Sequence, residues 1–222
     1  LTPPVPGLFV NGIESVFGSD TSGLTITNVT STGFNIGVYL NPGAEGAEIT
    51  GSSFTGTYAG AGVDGVQDLT LTNNIFDGNG LDLELFNING TAFEANGNTF
   101  VDGVIQNNQY SGMTSEVLSF GPSTFAGVPY NSLQIGTANA DSLMGTALND
   151  FIDGSALIDT LTYANSINLT NFVFNNTTGF TLNTEAGVDV VRNVEIVVGM
   201  NETYLIVGSG GFATIQDAVA AA

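Results

Sequence analysis

Gly136-Thr-Ala-Asn-Ala-Asp141-Ser-Leu-Met runs without interruption into Gly145-Thr-Ala-Leu-Asn-Asp150-Phe-Ile-Asp and Gly154-Ser-Ala-Leu-Ile-Asp159-Thr-Leu-Thr. Four positions return at one fixed offset: Gly136/Gly145/Gly154, Ala138/Ala147/Ala156, Asp141/Asp150/Asp159 and Leu143/Ile152/Leu161. A short exact period of this kind marks a repeat architecture, in which each unit stacks on its neighbour to bury a shared core.

A longer period runs upstream of this block. Leu24-Thr-Ile26-Thr-Asn28, Glu48-Ile49-Thr-Gly51-Ser-Ser-Phe54, Leu69-Thr-Leu71-Thr-Asn73-Asn-Ile-Phe76 and Phe93-Glu-Ala95-Asn-Gly97-Asn-Thr-Phe100 align on Ile26, Ile49, Leu71 and Ala95, spaced 23, 22 and 24 residues apart. Within each unit apolar and polar residues alternate, as a half-buried strand requires. Asn or Gly follows, suited to a tight turn with left-handed dihedrals. Strand, turn and strand in about 22–24 residues is one coil of a parallel β-helix. Phe54, Phe76 and Phe100 recur at the coil period and are expected to stack in the core.

The nonapeptides resemble the calcium-binding repeat of RTX proteins, G-G-x-G-x-D-x-U-x, which builds a parallel β-roll. The resemblance implies a turn and a short strand per repeat, with the aliphatic position inward. It also implies that turns on one side lie two repeats apart, so that Asp141 and Asp159 share a site and Asp150 faces the other way. Calcium takes six to eight oxygens from carboxylates and backbone carbonyls. The ligand set so implied is Asp141, Asp150 and Asp159, with Gly136, Gly145, Gly154 and Asn139 shaping the turns. The second family glycine is replaced by Thr137, Thr146 and Ser155, and the fourth by Asn139, Leu148 and Leu157. Leucine tolerates a left-handed backbone poorly, so one good calcium site, at most two, is expected rather than a full ladder. A Gly/Asp-rich solenoid turn without metal is the alternative. Residues 12–135 are similar to the pectin-lyase-like right-handed parallel β-helices, whose Asn residues stack at one turn; Asn74 and Asn98 would form such a pair.

Composition bounds the partners. The chain carries 21 acidic residues against one basic residue, Arg192, for a net charge of -20, with no His and no Cys. Phosphate recognition needs a cationic face, so nucleic acid is excluded as a partner, and an anionic membrane leaflet is disfavoured. Self-repulsion on this scale weakens a compact state unless cations or salt offset it. A hydrophobic share of 42% argues against disorder. No run reaches the roughly 18 apolar residues of a membrane-spanning helix, so membrane insertion is not expected.

Residues 1–11, with three prolines in Leu1-Thr-Pro-Pro-Val-Pro6, read as a linker or cut edge. Residues 136–162 form the roll, and 163–206 continue as strands. Their last stretch fits D-x-x-x-N-[IV]-E, the ending that often follows RTX blocks, through Asp189, Asn193, Val194 and Glu195. In 207–222, Phe212-Ala-Thr-Ile215-Gln-Asp-Ala218-Val219 resembles the helix that caps a β-helix at its first coil. Ile215, Ala218 and Val219 fall at i, i+3, i+4, the face such a cap would bury. A cap placed last implies a following unit, or copies docking head to tail.

One carboxylate pair raises catalysis. Asp82 and Glu84 alternate with Leu81, Leu83 and Leu85, which predicts leucines inward and carboxylates on a solvated face; such pairs can hydrolyse glycosides. The cationic groups that polysaccharide lyases use against uronates are missing apart from Arg192. The expected fold is therefore all-β: a right-handed parallel β-helix/β-roll solenoid with a short C-terminal helix. The expected role is a non-enzymatic structural or interaction segment of a large secreted bacterial repeat protein, extracellular or at the cell surface. It would be ordered by Ca2+, self-associate head to tail and contact a cell-surface glycan. A polysaccharide-processing module using Asp82 and Glu84 is the alternative.

Overall fold

The computed structural model describes residues 10–78, 80–88, 93–109, 116–175 and 179–222; most of the expected linker lies outside them. The chain is mostly β with one short C-terminal helix, arranged as a β-solenoid of about 5 turns. It divides into two compact units, Leu1–Tyr130 and Asn131–Ala222.

In the first unit, Thr25–Thr27, Glu48–Thr50, Thr70–Thr72 and Glu94–Asn96 pair in parallel, placing Ile26, Ile49, Leu71 and Ala95 in one row. These four residues are buried, as the period predicts. Each strand ends at a left-handed residue, Asn28, Gly51, Asn73 or Gly97, which turns the chain into the next face. The Asn/Gly alternation has a steric cause. A Cβ on Gly97 would lie 2.2 Å from Asn73 Oδ1, and one on Gly51 would lie 2.7 Å from Asn28 Oδ1. Each asparagine side chain therefore needs a glycine on the coil beneath it.

Beyond this turn lies a buried polar ladder. Asn98 Oδ1 accepts from the Asn74 backbone N–H at 3.0 Å, and Asn74 Oδ1 accepts from that of Ser52 at 3.0 Å. The amides donate to Leu71 O and Ile49 O, both at 2.8 Å, and Asn74 Nδ2 also reaches Asn98 Oδ1 at 3.2 Å. These bonds satisfy backbone groups that the turn removes from the sheets. The next strands bring Phe54, Phe76 and Phe100 into register. Their rings stack at 5.9 and 5.6 Å with interplanar angles of 15° and 14°, and all three are fully buried. The coil series closes on a hairpin, Ser123–Phe125 with Val128–Tyr130 antiparallel, whose two turn residues, Ala126 and Gly127, both have positive φ, as a two-residue turn of this type requires.

One expectation on this unit is corrected. Leu81, Leu83 and Leu85 point inward, but Asp82 and Glu84 are buried too. Asp82 accepts the backbone N–H groups of Asp102, Gly103 and Val104 at 3.2, 2.7 and 3.1 Å, clamping the turn of the following coil. Glu84 lies in the row Tyr39–Gly62–Glu84. The Tyr39 ring occupies the space above Gly62, and the Tyr58 hydroxyl donates to Glu84 Oε1 at 3.3 Å. Side chains from neighbouring coils thus roof the face that alternation assigns to solvent.

In the second unit, Ser132–Ile135 pairs with Asp150–Asp153, and Ser142–Met144 with Thr160–Thr162, both parallel. Residues 18 apart become neighbours, so two nonapeptides make one coil. Leu143, Ile152 and Leu161 are buried. Gly136, Gly145 and Gly154 have no positive φ; they are glycines because neighbours press on them. A Cβ would meet Gly154 O at 2.2 Å, the Tyr163 ring at 2.0 Å and Asn193 O at 2.1 Å, respectively. The 163–206 stretch then leaves the coil pattern. Phe172–Asn175, Gly179–Asn183 and Val188–Arg192 are antiparallel, and Val188–Arg192 returns to pair in parallel with Asp150–Asp153. In the helix Ile215–Ala221, Thr214 and Asp217 form a capping box. Of the expected cap face only Ala218 is buried; Ile215 and Val219 are 73% and 68% exposed.

Candidate cation site

The acidic residues of the nonapeptides stand in two columns, each linked by backbone N–H groups. In one, Asp141 N–H donates to Asp159 Oδ1 at 2.7 Å and Asp159 N–H to Glu195 Oε2 at 2.8 Å. In the other, Asp150 N–H donates to Asp189 Oδ1 at 2.9 Å. Asp141 and Asp159 thus lie together and Asp150 lies apart, the arrangement that a two-repeat coil implies. Asp189 and Glu195, the acids of the D-x-x-x-N-V-E stretch, terminate the columns, a role the sequence reading did not assign. A carboxylate accepting a backbone N–H from each successive turn does for this unit what Ser52, Asn74 and Asn98 do for the other.

The three repeat aspartates differ in what remains free. Asp150 is buried, with Thr146 N–H on Oδ2 at 2.7 Å and the Ser132 hydroxyl on Oδ1 at 2.8 Å. Asp141 takes the Thr137 N–H on Oδ2 and the Thr137 hydroxyl at 3.1 Å. Both carboxylates therefore close their own turns. Asp159 does not. Its third-repeat turn has Ser155 and Leu157 at φ 74° and 68°, and the Ser155 N–H goes to Asp153 Oδ1 at 3.0 Å instead. Asp159 Oδ2 is left buried without a hydrogen-bond partner. Left-handed backbone thus occurs at the two family glycine positions of the third repeat alone, on residues that disfavour it.

Burial, with the charges of Asp141, Glu195 and Asp153, pushes the Asp159 carboxyl up to about 7. Burial pushes Asp189 up to about 7 as well, although Tyr163 donates its hydroxyl at 2.6 Å and opposes the shift. Asp82, Glu84 and Glu195 are raised by burial too, and Asp20 is lowered by its bonds to Ser22. The sign follows from linkage. The folded chain keeps protons that an unfolded carboxyl releases near 3.8, so this contribution to stability is complete below about 3.8 and lost as pH rises through about 7. In chelator, the melting temperature is expected to fall across that window; a flat or rising profile would contradict the burial of these acids.

The donor set suits one hard cation better than several. An uncompensated buried carboxylate oxygen carries a desolvation cost that a divalent ion would remove. Asp159 offers such an oxygen, whereas Asp141 would have to give up its Thr137 bonds and Asp150 has no free oxygen. Gly136 O already accepts the Ser155 hydroxyl at 3.2 Å, the Asn139 N–H is held by Thr137 Oγ1 at 3.0 Å, and Gly145 and Gly154 pack against other backbone and ring atoms. Among the described residues no group of three acidic, His or Cys side chains is close enough to hold a metal ion. Leu157, 65% exposed, bears the strain of this turn while burying little. Leu157→Gly is expected to raise stability by up to about 1 kcal/mol, because left-handed backbone costs an L-residue roughly 1–2 kcal/mol and glycine returns part of that in entropy. A lower melting temperature for Leu157→Gly would mean that the turn is not left-handed.

Comparison with models of protein families, with curated proteins and with solved structures gives no significant match.

Proposed function

We propose that this chain is a structural and interaction segment of a large secreted bacterial repeat protein, acting at the cell surface or outside it as part of a surface layer, adhesin or filament. In the finer reading, an RTX-like roll at 136–162 follows a pectin-lyase-like β-helix at 12–135 in the sequence. The observation that carries the reading is how the polar interior is used. Asn74, Asn98, Asp82, Asp141, Asp150 and Asp189 each accept a backbone N–H from another turn or close their own. That is the chemistry of a stacked scaffold. Asp82, held by three N–H groups, is not free to act as an acid or nucleophile, which removes support from the polysaccharide-processing alternative.

Calcium orders the third repeat in this reading. Asp159 supplies the carboxylate, Asp141 and turn carbonyls are the neighbouring oxygens, and the ion's charge relieves an acidic cluster in a chain of net charge -20. Assembly follows from solenoid physics, since terminal strands present unpaired N–H and C=O groups. The bare Ile215 and Val219 on the terminal helix are an apolar face that a further unit would cover. Light scattering and electron microscopy with calcium and with chelator test this function: end-to-end particles are expected, and a strict monomer that cleaves a glycan would overturn it.

A further inference from the structure

A cleft of about 320 Å³ opens in the second unit between the nonapeptide turn at Gly145–Ala147, the 163–168 loop and the turn at Asn183–Glu185. Its walls are braced. Asn171 Nδ2 donates to Asn183 O at 2.9 Å and Asn183 Nδ2 returns to Asn171 O at 3.2 Å. The Thr184 hydroxyl and the Ala186 N–H both donate to Ala147 O, at 3.0 and 3.1 Å. The Tyr163 ring, packed on Gly145, is part of its lining. These contacts tie the three segments together, so the cleft is formed before any ligand arrives.

The chemistry of the lining selects the ligand. Glu185 is its single charged residue, and the rest are amides, hydroxyls, the Tyr163 ring, Ile167 and small apolar groups. An anion would find no positive charge there, because the chain's only cation, Arg192, sits 5.0 Å over the Phe151 ring. An apolar ligand would strip water from amides and hydroxyls without replacing their hydrogen bonds. A hydroxyl-rich neutral ring satisfies both demands, since a carboxamide presents a donor and an acceptor side by side to adjacent hydroxyls. The side chains of Asn165 and Glu185 are exposed and have no hydrogen-bond partner among the described residues, so both are available to a ligand. The volume is at the small end of ligand pockets, which run from about 300 to 1,000 Å³, and suits one ring rather than a chain.

We propose that this cleft binds a single neutral sugar residue of a glycan, with Asn165 and Glu185 as its hydrogen-bonding contacts. The proposal deepens the interaction half of the function above, on which it rests, and does not require calcium at Asp159. The test is an NMR titration of the full chain with the methyl glycosides of glucose, galactose, mannose and N-acetylglucosamine, in calcium and in chelator. At least one probe is expected to shift Asn165, Asn168 and Glu185 saturably, with a dissociation constant on the order of 1 mM. Asn165→Ala should weaken it about tenfold, and Ala164→Trp, which fills the cleft from an exposed position, should abolish it without lowering the melting temperature. No saturable shift with any probe, or one that survives Ala164→Trp, overturns the proposal. Calcium-dependent stabilisation in the same samples would then show that the cation reading stands without it.

Discussion

Phe76→Ala is expected to lower the unfolding free energy of the first unit by about 3–5 kcal/mol, the range for emptying a buried aromatic site. Phe76 is the middle ring of three, stacked on Phe54 at one side and Phe100 at the other. Its removal loses transfer energy and two ring contacts, and leaves a hole that rigidly paired coils cannot close. Phe76→Leu keeps most of the volume and should cost less. Denaturant unfolding followed by circular dichroism reads the difference. A loss under about 1 kcal/mol, the size of a surface change, would mean that the ring is not in the core.

Asn74→Ala is expected to be nearly as damaging. It strips the acceptor from Ser52 N–H and the donor from Ile49 O and Asn98 Oδ1, all in the interior. An orphaned buried polar group costs about 1–3 kcal/mol, so a loss of about 3 kcal/mol follows, allowing for water entering the space. Asn98→Ala should behave alike. The double variant should lose less than the two single losses combined, because the pair shares a hydrogen bond. Simple additivity would show that the two amides do not touch.

How much was legible depends on whether the physics was periodic. The anchors Ile26, Ile49, Leu71 and Ala95, the three phenylalanines and the Asn74–Asn98 pair repeat at the coil length, and in-register stacking turns sequence period into contact. The separation of Asp141 and Asp159 from Asp150 was implied by the resemblance to the RTX repeat, whose coil spans two nonapeptides, and not by the period alone. What escaped was set by contacts between different coils. Asp82 is buried because the N–H groups of Asp102, Gly103 and Val104 converge on it, and nothing within Leu81–Leu85 announces that turn. Glu84 is held by the Tyr58 hydroxyl from a neighbouring coil, so strand alternation misassigned its face. The terminal helix buries Ala218 but not Ile215 or Val219, because spacing defines a face and not what covers it. The left-handed Ser155 and Leu157 run against their own propensities, and their consequence, the lone oxygen of Asp159, is visible only in three dimensions.

That oxygen is where the account is most exposed to refutation. Calcium titration of the wild-type chain and of Asp159→Asn, followed by calorimetry and by thermal melting, tests it directly. Saturable binding and a rise in melting temperature are expected for the wild type, and neither for Asp159→Asn, which should instead melt higher than wild type in chelator because it buries no charge. Equal responses to calcium in the two proteins, or none in the wild type, would contradict it.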